Sequence, residues 1–263
     1  MIEPATFQVL VAGLFGLVIG SFLNVVIYRL PRHIPLSRGR SGCPHCGALI
    51  TWWQNIPVLS YLILLGRCRT CRGSISIRYP LVETLTAVIF AAWVAALGVS
   101  VQSAGMVYLC SILLCVIFID LEFQIIPDWL SLPTIVVGWV WANFTPLGLT
   151  QSLLGTLVGG GGLYLVALLG DWIFRKESMG GGDIKLAAAL GAFLGWHLVV
   201  LVFFLSALVG SAVSGLWLLW SSDLRKKRMI PFGPFLAVAA VLAILWGREM
   251  LHWYVNRFWN FPS

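Results

Sequence analysis

Residues 8–32 read QVLVAGLFGLVIGSFLNVVIYRLPR, an apolar run closed by Arg29 and Arg32. About 20 consecutive apolar residues suffice for a helix to cross a bilayer, so residues 1–29 are expected to form a first transmembrane helix. No Lys or Arg precedes the run. A signal peptide carries its positive charge first, and cytoplasmic loops collect Lys and Arg. The helix is therefore expected to be retained, with its start outside the cytoplasm and its arginines inside.

Further apolar runs follow near 81–97, 104–119, 130–147, 152–173, 184–196, 198–220 and 234–254. The pattern predicts an all-α polytopic membrane protein of about eight transmembrane helices. Composition agrees, since 59% of the 263 residues are hydrophobic and 10% are charged. A soluble enzyme, a disordered chain and a collagen repeat are excluded. Residues 30–79 are the one polar stretch long enough for a small domain, inserted after the first helix; residues 80–263 hold about seven further helices.

The net charge is +7, with 17 Lys and Arg against 10 Asp and Glu. Arg29, Arg32, Arg38, Arg40, Arg67, Arg69, Arg72 and Arg78 lie in or beside 30–79, Arg175, Lys176 and Lys185 flank a second gap, and Arg225, Lys226, Lys227 and Arg228 fill a third. Such loops stay cytoplasmic and lie near anionic lipid, so the excess charge marks topology rather than nucleic acid. Eight crossings put both termini outside. The run after Asp183 is awkward: about 13 residues give roughly 20 Å against a core of about 30 Å. Were it not a crossing, the Arg225 to Arg228 cluster would be carried outside, so it is kept as a span in locally thinned lipid. Gly159 to Gly162, Gly191 and Gly195 are expected to let helices approach closely.

Within 30–79 stand Cys43-Pro-His-Cys46 and Cys68-Arg-Thr-Cys71. Two C-x2-C knuckles can surround a Zn²⁺ with four thiolates. Disulfides are the alternative, disfavoured on the reducing cytoplasmic side. A closed four-thiolate site keeps no position for water, so its role is structural. The neighbouring Arg67, Arg69 and Arg72 are expected to offset its charge, and His45 to be solvated.

Carboxylates in or beside a membrane span are functional candidates, because their burial is costly. Asp120 ends an apolar run, where the helix dipole disfavours a carboxylate. Asp183 follows Gly180-Gly181-Gly182 and precedes another run, where it could cap free N–H groups. Both lie at cytoplasmic ends, so folding can bring them together across 63 positions. Two carboxyls sharing one proton can activate a water and protonate a leaving amide nitrogen.

The chain resembles the bacterial type IV prepilin peptidases, leader peptidases and N-methyltransferases of the inner membrane. The resemblance runs almost end to end, through Gly20-Ser21-Phe22-Leu23-Asn24, the paired knuckles, Asn55-Ile56-Pro57, Arg78-Tyr79-Pro80-Leu81-Val82-Glu83, Asp120 to Pro127-Asp128, Met179-Gly180-Gly181-Gly182-Asp183-Ile184-Lys185 and Pro231-Phe232-Gly233-Pro234-Phe235. It implies a GxGD aspartic protease with Asp120 and Asp183 catalytic. It implies prepilin or pseudopilin substrates, cut at the cytoplasmic face of the inner membrane. It also implies S-adenosylmethionine as donor for methylating the new N-terminus.

Beside the resemblance, Gly180 and Gly182 would leave room for a substrate backbone. Glu122, Asp128 and Glu177 could attract a basic leader. Pro127 is expected to stop the helix after Asp120, and Lys185 to steady Asp183 or reach the surface. Glu83, early in a span, is a candidate for the second activity or for a substrate contact. Two rivals are a presenilin-type protease and a non-catalytic zinc-knuckle assembly factor. The first pairs its GxGD with a Tyr-Asp, whereas Ile119 precedes Asp120 here; the second leaves the paired acids without a purpose. Oligomeric state is not legible.

Overall fold

The computed structural model describes residues 3–37, 39, 41–176, 179–220 and 231–258. Arg38, Arg40, Glu177 and the cluster Arg225 to Arg228 lie outside the described residues. Eight helices occur among those described: α1 (Pro4–Arg29), the short α2 (Leu59–Ile63), α3 (Arg78–Leu97), α4 (Val101–Phe123), α5 (Asp128–Ala142), α6 (Gly148–Phe174), α7 (Gly181–Trp220) and α8 (Gly233–Phe258). Contacts divide the chain into Met1–Cys115 and Val116–Ser263, the division falling within α4.

Six of these helices, α1, α3, α4, α6, α7 and α8, are long and apolar enough to cross a membrane. The expectation of about eight spanning helices differs from this number at two places. α5 has 15 residues, about 22 Å at 1.5 Å per residue. α7 has 40 residues, about 60 Å if straight, twice the hydrocarbon thickness. It is not straight, because Gly195 has φ 75 and ψ 172 inside it. That conformation is essentially closed to residues with a Cβ.

Contacts with α6 reveal what the break does. A methyl group placed on Gly160 would meet Ala188, one on Gly155 would meet Gly191 and Gly195, and one on Gly162 would meet Phe203. Moving forward along α6, its partners run backward from 191 to 188 on one side of Gly195 and forward from 195 to 203 on the other. The two halves of α7 therefore fold back on each other. The two runs read as 184–196 and 198–220 are both helical and are joined by a reversal at Gly195. Gly155 and Gly191 are in close backbone contact, each where the other's Cβ would stand. Ser152 Oγ donates to the Ala192 carbonyl at 2.6 Å across the same interface. Of the glycines singled out in the sequence, Gly159 and Gly160 face α7 while Gly161 faces open space.

The remaining packing of the second unit follows. Gly138 of α5 lies against Ala192 and Phe193, Gly210 against Phe235, and Gly247 against Leu198 and Leu201. The second half of α7 and α8 are thus antiparallel. The starts of α5, α7 and α8 consequently gather at one end of this unit, and Gly195 sits at the other.

In the first unit α1 and α3 are antiparallel, with Gly16 opposite Ala87 and Gly20 opposite Glu83. A Cβ at Gly20 would lie 2.6 Å from the Glu83 Cα, so the absence of a side chain is what permits this approach. The cysteine knuckles lie in the connection between these two helices.

Candidate functional site

Along α4, Leu109, Leu113, Val116 and Ile119 are fully or nearly fully buried. Their spacing of three to four residues makes one apolar stripe, and Asp120 follows at its end with 4% exposure. The helix stops three residues later. Gln124 takes a left-handed φ of 55 and donates its N–H to the Asp120 carbonyl at 2.9 Å. This corrects the role expected for Pro127, which is the residue preceding α5. A left-handed Gln124 ends α4, and the proline starts the next helix, where its fixed φ is compatible with the entry.

The Asp120 carboxylate is held from the second unit's last helix. Gly233 N–H donates to Asp120 Oδ2 at 3.0 Å, and a methyl group on Gly233 would lie 2.6 Å from that oxygen. Asp183 comes from the opposite kind of helix end. α7 begins at Gly181, so Asp183 is inside the first turn rather than preceding it, and its own N–H donates to the Gly180 carbonyl at 3.1 Å. Carboxylates are favoured there by the helix dipole. Ile126 links the two acids, since a methyl on Gly182 would lie 2.9 Å from its Cβ and one on Gly233 would lie 3.1 Å from its Cδ1. Asp120 and Asp183 interact electrostatically.

The other sequence-selected groups surround this pair unevenly. Lys185 does not turn to Asp183; its Nζ donates to both Asp128 oxygens at 2.7 and 2.8 Å. Glu122 and Asp128 are exposed, Gly180 is exposed and Gly182 is half-buried. Gly233 and Ile126 were not assigned roles by sequence reading. The Pro231-Phe232-Gly233-Pro234 motif was visible, but a glycine's backbone N–H carries no sequence signal of its target.

In the first unit the sulfur atoms of Cys43, Cys46, Cys68 and Cys71 all lie within 4.8 Å of one another. Cys43 Sγ and Cys71 Sγ are 3.9 Å apart. Tetrahedral Zn–S bonds of 2.3 Å require S···S separations of about 3.8 Å, so the four cysteines fit a metal of that kind. The two knuckles repeat one backbone design. Cys43 N–H donates to Ala48 at 2.9 Å and Cys68 N–H to Gly73 at 2.8 Å; Gly47 N–H returns to Cys43 and Arg72 N–H to Cys68, each at 2.9 Å. The residue making the return is left-handed in both, Gly47 at φ 70 and Arg72 at φ 59.

The Cys71 and Thr70 backbone N–H groups hold the Cys68 thiol down at about 6. A hydrogen bond from the Ala48 backbone acts in the same sense on Cys46, but desolvation and hydrogen bonds with the Cys71, Cys43 and Cys68 thiols outweigh it and raise that thiol to about 11. The knuckle backbone therefore begins what the arginines were expected to do. His45 packs against Gly73, its Cδ2 within 3.0 Å of where a Cβ would stand.

Glu83 is 7% exposed and belongs to the first unit, apart from the acidic pair in sequence. Its Oε2 accepts the Val58 N–H at 2.7 Å.

Comparison with known proteins gives a consistent picture. A family described as Bacterial Peptidase A24 N-terminal domain matches residues 14–97, and one described as Type IV leader peptidase family matches residues 107–215. The chain is 41% identical to a prepilin leader peptidase/N-methyltransferase of Aeromonas hydrophila, covering 93% of each. It is 38% identical to proteins of the same description from Legionella pneumophila, covering 95% of each, and Pseudomonas aeruginosa, covering 97% of this chain and 95% of that one. No solved structure matches the chain.

Proposed function

The chain belongs to the type IV leader peptidase family, and from that membership we propose that it removes the basic leader of type IV prepilins or pseudopilins and N-methylates the residue exposed. The observation that carries the peptidase reading is the juxtaposition of a buried Asp120, oriented by the Gly233 N–H at 3.0 Å, with Asp183 at the start of α7.

Asp120 and Asp183 are the catalytic residues and share one proton. The ionised carboxylate takes a proton from water as the water oxygen attacks the scissile carbonyl carbon. The protonated partner gives its proton to the amide nitrogen as the C–N bond breaks. Gly233 N–H fixes the Asp120 oxygen it binds, leaving the second oxygen for the water. Gly180 presents backbone without a side chain beside Asp183, where the substrate chain passes, whereas the bare face of Gly182 is filled by Ile126. Glu122 and Asp128 attract the basic leader, Asp128 while also holding Lys185.

Cys43, Cys46, Cys68 and Cys71 hold a structural Zn²⁺, which cross-links two knuckles in a loop too polar to fold on a core of its own. S-adenosylmethionine supplies the methyl group for the second activity. The chain makes eight crossings of the inner membrane, α5 and the two halves of α7 among them, with both termini periplasmic and the acidic pair and zinc loop cytoplasmic. Support comes from Arg175, Lys176 and Lys185, which flank the connection between α6 and α7 at the acidic end of the second unit. The first part of α7, short for a bilayer, seats Asp183 where a helical substrate leaves lipid.

The test is cleavage of a full-length prepilin by the purified chain in detergent or proteoliposomes. D120N and D183N are each expected to lower turnover by about 10²–10⁴-fold, the usual contribution of an acid–base group, with melting temperatures near that of the parent. Near-parental turnover by either variant refutes the dyad; failure of the parent to cut any prepilin refutes the substrate class.

A further inference from the structure

The face between α1 and α3 carries a buried polar cluster that neither cleavage nor metal binding uses. Asn24 is 2% exposed. Its Nδ2 donates to the Tyr79 carbonyl at 3.0 Å and to the Gly20 carbonyl at 3.3 Å, whereas its Oδ1 is buried without a hydrogen-bond partner. One turn away in the antiparallel pair stands Glu83, whose carboxylate accepts the Val58 N–H and has the Ser21 side chain beside it. Among the described residues Glu83 has no ion-pair partner.

The Val58 N–H is delivered by a strained turn. Val58 has φ 60 and ψ −49, and Leu59 N–H donates to the Pro57 carbonyl at 2.6 Å. This is a γ-turn of the rare positive-φ kind, unusual for any β-branched residue. Such strain persists only where the surroundings enforce it, and it concentrates at ligand sites.

Two acceptors are left over: Asn24 Oδ1, which is buried without a partner, and the second Glu83 oxygen, which is not sealed off and is open to an incoming donor. Unpaired acceptors and an unpaired carboxylate are both costly when buried. A neutral hydroxyl would satisfy one acceptor without offsetting the charge. A primary ammonium is donor-only, offers three N–H groups and carries the compensating charge. We propose that Glu83, Asn24 and Ser21 form a primary-ammonium site that receives the newly exposed N-terminal amine of the cleaved substrate. The inference rests on the methyltransferase reading above for its substrate, but its geometry is independent of that reading. S-adenosylmethionine also bears an ammonium group, so the two carriers must be separated by experiment.

The experiment is calorimetric binding to the full chain in lipid nanodiscs, with three probes: a mature-pilin peptide with a free N-terminus, the same peptide N-acetylated, and S-adenosylmethionine. The parent is expected to prefer the free amine by roughly 10- to 100-fold, the range for hydrogen bonds to a charged group. E83Q is expected to reduce that ratio to near unity while leaving S-adenosylmethionine affinity unchanged. Equal binding of both peptides by the parent, or an undiminished ratio in E83Q, overturns the proposal. Loss of S-adenosylmethionine affinity with the ratio retained assigns the site to the donor and also overturns it. If E83Q does not fold, S21A decides: a several-fold drop in the ratio supports the site, and no change opposes it. Transfer of labelled methyl to the free peptide is measured separately on the parent, so that failure of the methyltransferase reading is seen apart from failure of the amine site.

Discussion

Gly233 is the most demanding position at the acidic pair, and alanine there is the sharpest perturbation. The added methyl would lie 2.6 Å from Asp120 Oδ2, 3.2 Å from its Cγ and 3.1 Å from Ile126 Cδ1. Ordinary contact is about 3.5 Å or more, so the carboxylate must retreat by about 1 Å. Its hydrogen bond to the Gly233 N–H, now 3.0 Å, is stretched or lost by that movement. Misplacing a reacting group by about 1 Å can cost on the order of 10²-fold in rate, which is about 2.7 kcal/mol of barrier. Overpacking adds a stability loss of about 1–3 kcal/mol. G233A is therefore expected to cut a prepilin about 100-fold more slowly at saturating substrate, with KM little changed. G161A is the control, because nothing lies within 4 Å of a methyl at Gly161, and turnover should stay within twofold (roughly what an exposed, non-contacting site allows). Turnover by G233A within about threefold of the parent would refute the reasoning, since the geometry leaves no room for so small an effect.

Other outcomes follow from the same structure. Replacing Gly195, at φ 75 and ψ 172, by Ala should cost about 1–3 kcal/mol in a thermal or denaturant melt, and Asn should not rescue it, because ψ lies outside the ordinary left-handed region. C43S and C68S should abolish bound zinc measured by elemental mass spectrometry, whereas H45A should retain it. Because Cys46 keeps its proton up to about 11 while Cys68 loses its own at about 6, zinc binding at neutral pH must release the Cys46 proton. Apparent affinity should therefore rise by at least about one decade per pH unit above 6, and an affinity flat from pH 6 to 8 contradicts the assignment. K185A should change stability by no more than about 1 kcal/mol, the range for an exposed ion pair, since Lys185 and Asp128 are 40% and 53% exposed.

Much of this protein is written in local pattern. Apolar runs identify helices because in a bilayer each backbone group must find its partner within the segment, and that requirement acts on the 8–28 run without reference to any neighbour. The four cysteines are legible for a similar reason: C-x2-C brings two sulfurs to one metal through a short turn, and the spacing is part of the chemistry. Asp120 and Asp183 were legible because an acid beside a 16- or 13-residue apolar run has few inexpensive explanations.

What the sequence left open depends on contacts between residues far apart. An apolar count alone cannot tell one long helix from two short ones; the charge order argued for two spans meeting near 197, and α6 touching both halves of α7 in opposite order puts the reversal at Gly195. Pro127 looked like a helix stop, yet a left-handed Gln124 had already closed α4. Lys185 was expected to steady Asp183 or reach the surface, and packing gave it to Asp128. The support of Asp120 by Gly233, 113 positions away, and the orphan oxygen of Asn24 have no local signature at all. Periodicity, charge order and spacing act over a few residues along the chain, and so the sequence alone determined the long apolar helices and the paired cysteine knuckles and singled out the acids as candidates. Hydrogen bonds to those groups act over about 3 Å in space, and only the folded chain decides which distant backbone arrives there.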